Sequence, residues 1–319
     1  LGNRKIDADT QKDIKKRYPE IFKKCKNSFG SFLHDFDERS ALDVPPEERE
    51  RFYEELWGQP GFGLWLGNFH DILTNQEAND TVSEFVRKKI KEQVDDPVIA
   101  EKLCPKDHGF GTRRVPLESG YYKAYNRPNV HLIDITENPI ENITPSGIQT
   151  KESNIDLDLI IYATGFDAIT GAFKNIDISG EEGQSLEEKW RDGPSTYLGL
   201  QTQGFPNFFT LVGPHNGSTF CNIPRCIEQN VEWVSECIKY MSDNGFSKIE
   251  TEKKAEEEWT QHVYEVAEPS LLMKTDSWFV GANIPGKKRN FLMYAGGSPT
   301  YRAKCEEIVE NGYEGFKLS

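Results

Sequence analysis

Residues 157–168 read LDLIIYATGFDA, and the fold turns on how that stretch is taken. Leu157, Leu159, Ile160, Ile161 and Tyr162 crowd apolar side chains into one short run. That is the pattern of a strand buried on both faces, as in a parallel sheet. Gly165 then lets the backbone turn and a neighbour come close. Two readings fit the segment alone: a core strand with a glycine stop, or a strand whose small-residue end makes room for something packed against it.

Upstream, NVHLIDI (129–135) alternates as a strand, and IENITPSGIQT (140–150) reads as a hairpin turning at Pro145-Ser146-Gly147. A meander thus leads into the predicted strand at 157–163. Before Pro105 the period is helical. Ile14, Tyr18, Ile21, Phe22 and Cys25 share one face, Pro45-Pro46-Glu47-Glu48 opens a helix, and Thr74-x-x-Glu77 forms a capping box. Behind that box Ala78, Val82, Phe85, Val86, Ile90 and Val94 make an apolar stripe.

Downstream, a Gly-Phe-Pro-Asn turn leads into a predicted strand at 208–212, then a loop of small residues and a long helix. Asn222 is its expected N-cap and Gly245 its stop, with Ile227, Val231, Val234, Ile238 and Met241 as the expected buried face. Further helices are expected around Trp259/Val263/Val266 and Tyr301/Cys305/Ile308. The stretch 277–294, SWFVGANIPGKKRNFLMY, reads as a loop leading into a strand. Periodicity alone therefore supports a helical lobe joined to a mixed α/β part.

The 319 residues carry 38 basic and 52 acidic side chains, a net charge of −14, which argues against nucleic acid or an anionic membrane as partner. Six cysteines lie scattered without a C-x-x-C, so reduced thiols are expected. No apolar run approaches a membrane span and no signal sequence opens the chain; a cytoplasmic protein is expected. No histidine pair has metal-ligand spacing, and neither a G-x-S-x-G elbow nor a phosphate-binding P-loop occurs. GFGLWLG (61–67) misses the third glycine of a dinucleotide loop by one residue and follows a helix.

Two features invite a functional reading. In GFGTRRVPLESGYY (109–122), Arg113 and Arg114 follow a glycine-rich turn. In an extended segment their side chains project to opposite faces, so they can serve two ligands or simply be solvated. The second feature is the small-residue loop 213–222 running into a helix, whose free N–H groups and positive end can hold an anion.

At this point the residues match a family. ATGFDAITGAF (163–173), GPSTYLGLQTQGFPNFFTLVGP (193–214), NIPRCIEQNVEWV (222–234), SWFVGANIPGK (277–287) and PKDHGFGTRRVPLESGYYKAYNRPNVHL (105–132) closely resemble the C-terminal part of Baeyer–Villiger monooxygenases of the phenylacetone and cyclohexanone monooxygenase type. The resemblance covers essentially the whole chain. It implies an α/β fold, the C-terminal part of a flavoprotein with two dinucleotide-binding domains and a helical insertion lobe. Residues 1–109 would be the helical insertion of the NADPH domain, 110–167 its returning segment, and 168–319 the C-terminal part of the FAD domain.

The implied activity inserts one O2-derived oxygen beside a ketone to give an ester or lactone, through a C4a-peroxyflavin, with FAD and NADPH as cofactors. By the same resemblance Arg114 is the active-site arginine. Arg113 stands where the family usually has a lysine contacting the NADP 2′-phosphate, and Trp278 belongs to the mobile loop closing over the nicotinamide. Thr164 and Gly165 lie against the cofactors, Asn222 and Ile223 face the isoalloxazine edge, and Ser218, Thr219 and Phe220 shape the substrate pocket. Both G-x-G-x-x-G loops are missing, which implies an N-terminal half supplied by a separate chain or a missing segment. Two alternatives remain: an N- or S-oxygenating flavin monooxygenase, and a non-catalytic half that binds a partner chain.

Overall fold

Helical spacing before Pro105 produces helices. In a computed structural model, which describes residues 2–217 and 221–319, α1 (Ala8–Lys16), α2 (Tyr18–Asn27), α3 (Pro46–Gly58), α4 (Gly63–Leu66), α5 (Gln76–Lys91) and α6 (Pro97–Leu103) fill this part. Acidic Glu47 and Glu48 occupy the first turn of α3, as expected. The cap of α5 is one residue later than the capping box predicts. Asn75 accepts hydrogen bonds from the amides of Glu77 (3.0 Å) and Ala78 (3.3 Å), while the Thr74 hydroxyl donates to the Asp71 carbonyl. The α5 stripe packs inward through Ala78, Val82, Phe85 and Ile90. By contrast α1 buries nothing, and of the apolar face shared with α2 only Cys25 is fully buried.

After the short α7 (Tyr121–Ala124), β1 (Ile140–Thr144), β2 (Gly147–Thr150) and β3 (Asn154–Asp156) form an antiparallel meander in the order β1-β2-β3. Thr144 pairs with Gly147 across Pro145-Ser146, so the hairpin turns where expected. Gly147 is required there: a Cβ would lie 1.9 Å from the Ile155 carbonyl oxygen.

The two strands expected to flank the meander do not form. Residues 129–135 and 157–163 lie outside any sheet, and Leu159, Ile161 and Tyr162 are 74%, 79% and 67% exposed. Apolar, β-branched composition makes a strand only when another backbone pairs with it. Among the described residues the segment 157–163 has one such bond, from the Leu157 amide to the Ser146 carbonyl, and it continues no further.

The remainder contains α8 (Leu186–Lys189), α9 (Ile223–Asp243), β4 (Ile249–Thr251), α10 (Lys253–Ala267), α11 (Ser298–Glu310) and β5 (Phe316–Leu318), with β4 and β5 antiparallel. The expected strands at 208–212 and at the end of 277–294 are irregular; residues 291–294 are nonetheless deeply buried, and the Leu292 amide donates to the Phe279 carbonyl. Helix α9 is rotated from the orientation expected: of the expected face Met241 is buried and Val234 packs half-buried against the core. Cys226, Asn230, Trp233, Cys237 and Met241 are buried, whereas Ile227, Val231 and Ile238 are exposed. The inward face is chosen by its partners: Trp233 donates from Nε1 to the Cys305 carbonyl of α11 and lies edge-on to Tyr313.

One contiguous core joins the helical part (Tyr53, Trp65, Phe69, Phe85) to the C-terminal part (Trp233, Trp259, Phe279, Tyr301). The expectation of reduced cysteines is corrected at one place. Cys221 and Cys226 are joined as a disulfide, while Cys25, Cys104, Cys237 and Cys305 are free and buried. Among the described residues no helix is long and apolar enough to cross a membrane.

Candidate active site

The segment 109–115 is seated on an aromatic floor. Gly111 has φ +78°, and a Cβ there would lie 2.8 Å from the indole of Trp65, so a side chain is excluded on both counts. The turn is closed by Thr112, whose hydroxyl donates to the Gly109 carbonyl at 2.8 Å. From this turn the two arginines diverge.

The guanidinium of Arg114 lies 4.6 Å from the ring centre of Phe62 and 4.9 Å from that of Trp65, and donates to the Val115 carbonyl at 3.2 Å. Its inner face is shut off by the rings while its outer face reaches solvent, and this partial burial lowers its pKa. Among the described residues no carboxylate lies within ion-pair distance of it. Cation–π contact holds the charge in place without neutralising it, which leaves a positive group aimed at open space. The GFGLWLG stretch is therefore not a nucleotide loop: α4 within it supplies Trp65, and Phe62 immediately precedes it. The aromatics at positions i and i+3 were the signal in the sequence.

Arg113 takes the other direction. Its Nε donates to the Asp276 carbonyl at 2.9 Å and its Nη2 pairs with Asp107 at 2.8 Å. Asp107 also meets Nδ1 of His108, and the His108 contact, helped by Arg113, holds its carboxyl below the usual range. Asp276 is further gripped by Arg289, which reaches the Met273 and Thr275 carbonyls as well. Two residues on, Trp278 starts a 3-10 turn in which Ser277 Oγ accepts from the Phe279 amide. The Trp278 ring packs 4.5 Å from that of Phe279 and is half-buried.

The same loop reaches the ATG segment. Asn283 Nδ2 donates to the Phe166 carbonyl at 3.0 Å, and Lys287 binds Asp167 and the Thr170 hydroxyl. Burial alone would raise the pKa of Asp167, but Lys287 and Lys174 outweigh it and hold the carboxyl down. Thr164 and Gly165 are exposed, and a Cβ on Gly165, at φ +88°, would meet nothing within 4 Å. The space beside the small residues is open.

Asn222 and Ile223 stand at the start of α9. Asn222 occupies the N-cap position but its side chain makes no cap bond; its amide donates to the Gly30 carbonyl at 2.7 Å instead. The Gly30-Ser31-Phe32 segment connects this helix start to the arginine floor, because Phe32 packs edge-on to Phe62 at 5.3 Å. Between them the Ser31 hydroxyl is buried with no hydrogen-bond partner among the described residues. Such an orphan is costly unless a further group satisfies it.

The loop 276–289, which carries Trp278, touches both Arg113 and the residues just after Thr164 and Gly165, and residues 30–32 touch both Asn222 and the Phe62 ring beneath Arg114. Ser218, Thr219 and Phe220 lie outside the described residues. A cleft of about 540 Å³ opens beside both arginines, walled by Val86, Phe110 and Tyr122. A larger hollow of about 820 Å³, near Trp190 and Lys288, is lined by none of the expected residues. Sequence reasoning missed Phe62, Asp107, Asp167, Asn283 and Lys287. The i, i+3 spacing of Phe62 and Trp65 was the one available signal; Asp107, Asp167, Asn283 and Lys287 carry none until the fold brings distant segments together.

No family model matches the chain. Along its entire length it is 48% identical to 2-oxo-Delta(3)-4,5,5-trimethylcyclopentenylacetyl-CoA monooxygenase of Pseudomonas putida, of which it covers 59%. It is 40% identical, again over 100% of the chain, to cyclopentanone 1,2-monooxygenase of a Comamonas species, covering 58% of that protein. Among solved structures, a crystal structure of OTEMO in complex with FAD and NADP superposes on 100% of this chain and 59% of its own, at a TM-score of 0.96 and 49% identity. The chain therefore spans under two thirds of the length of the relatives it matches.

Proposed function

We propose that this chain is the C-terminal portion of a Baeyer–Villiger monooxygenase, the family of the proteins it resembles in sequence and structure, and that it is the arginine-bearing part of an FAD- and NADPH-dependent enzyme. That enzyme inserts one atom of O2 next to a ketone carbonyl, giving an ester or a lactone. The observation that carries this reading is the Arg114 guanidinium, fixed over Phe62 and Trp65 with no described carboxylate to neutralise it.

The residues present fit a flavin and a nicotinamide cofactor. Open space beside Gly165, the orphaned Ser31 hydroxyl and an uncompensated cation all suit a planar, partly anionic group. Thr164, Gly165, Asn222 and Ile223 would hold FAD; Arg113 and Trp278 would hold NADPH. When bound, the flavin supplies oxygen activated after its reduction by NADPH. Arg114 would stabilise the negative charge that develops on the ketone oxygen as the carbonyl is attacked, a preorganised electrostatic role. Arg113, through the Asp276 carbonyl, would keep the Trp278 turn in register, and that turn would help exclude water. Ser218, Thr219 and Phe220 are proposed to shape the substrate pocket.

On this reading residues 1–109 are the helical insertion of the NADPH domain, 110–167 its returning segment, and 168–319 the C-terminal part of the FAD domain. Both G-x-G-x-x-G loops come from an N-terminal half, and the dependence on reduced nicotinamide suits the cytoplasm. The test is Arg114→Ala in the flavin-loaded enzyme, assayed for ester by product analysis. Formation should fall by about 10²–10³-fold while flavin remains bound; near-normal yield would remove Arg114 from the chemistry.

A further inference from the structure

Cys221 and Cys226 bracket the start of α9. They are bonded, with Cα atoms 6.6 Å apart, within the span a disulfide bridges without backbone movement. Both are nearly buried, and between them run Asn222 and Ile223. The other described cysteines, Cys25, Cys104, Cys237 and Cys305, are free, and burial raises their thiol pKa, to about 12 for the last two. Cys226 has a second cysteine against it and sits in the first turn of a 21-residue helix, a position whose positive end favours thiolate.

We propose that Cys221 and Cys226 are a reversible redox pair, closed by hydrogen peroxide and reopened by a dithiol, that fastens the chain where it enters α9. The Cys226 thiolate attacks one peroxide oxygen; the O–O bond breaks, water leaves, and Cys226 becomes a sulfenic acid. The Cys221 thiolate then attacks that sulfur, the S–O bond breaks and a second water leaves. In total two thiols and one peroxide give one disulfide and two waters, a two-electron oxidation. The thiol chemistry stands apart from the proposed function; only its effect on the cofactor-facing Asn222 and Ile223 rests on that reading.

Trypsin cuts after Arg225, so the two cysteines fall on separate peptides, 192–225 and 226–239. The holoenzyme is reduced, exposed to hydrogen peroxide, blocked with an alkylating agent, digested and analysed by mass spectrometry. A linked pair of these peptides joined through Cys226 is expected after peroxide, and its loss on treating the folded protein with dithiothreitol. In Cys221→Ser, dimedone should label Cys226. Absence of the linked pair, linkage through Cys237, survival of the link in dithiothreitol, or an unlabelled Cys226 would each overturn the proposal. None of these readouts depends on oxygenation activity, so this test can fail while the proposed function stands, and the reverse.

Discussion

Arg113 and Arg114 are neighbours in the chain with unlike surroundings: one is held by a carboxylate and a carbonyl, the other by two aromatic faces. Gly111 makes the second arrangement possible. Gly111→Ala adds a Cβ against Trp65 at a left-handed backbone position, and it should cost about 1–3 kcal/mol in urea unfolding; an unchanged midpoint would show that the turn adapts. His215 offers a second residue-scale test. It is wholly buried and its pKa is held down to about 4 because burial disfavours the imidazolium. In the unfolded chain an imidazole titrates near 6.5 (roughly). The unfolded state therefore binds the proton first, so stability is full above that range and falls as pH drops towards 4. Between pH 7 and pH 5 the loss should be about 2 kcal/mol. His215→Asn, a residue tolerated at its φ of 65°, should flatten that slope; an unaltered slope would assign the pH dependence to other groups.

At the scale of elements, the helix ends show how local rules succeed and slip. The cap of α5 shifts from Thr74 to Asn75 because Asn75 reaches two amides at once. Asn75→Ala should thus destabilise by about 1 kcal/mol, and Thr74→Ala by no more than about 0.5 kcal/mol; the reverse order in thermal melts would restore the capping box. Helix α9 was legible in length and in its stop at Gly245, yet not in orientation. Apolar residues line two adjacent sides, and contacts with distant segments, Trp233 with α11 and Tyr313 and Asn230 with Val212, select one of them.

At the scale of the whole molecule, the core is continuous from Tyr53 to Tyr301, but its surface keeps uncovered apolar groups. Leu159, Ile161, Tyr162 and Phe166 are exposed, Phe166 at 88%, as is the Ile227/Val231/Ile238 stripe of α9. Apolar surface of this extent attracts partners or aggregates. Prepared as residues 1–319, the chain should bind a hydrophobic dye, and Ile161→Lys combined with Phe166→Lys should weaken that binding. Equal fluorescence from both proteins would mean the dye binds elsewhere.

The sequence by itself determined the helical first third, the 140–150 hairpin and its turn, a helical lobe joined to a mixed α/β part, and the arginine pair, because helix periodicity, turn chemistry and short motifs are local properties. Tertiary structure decided the rest. Whether 157–163 is paired, which side of α9 is buried, which cysteines meet and what lies beneath Arg114 all depend on segments far apart in the chain. No local pattern encodes the distance between such segments. A strand needs a second backbone, and a cation acquires its role from whatever the fold sets beside it.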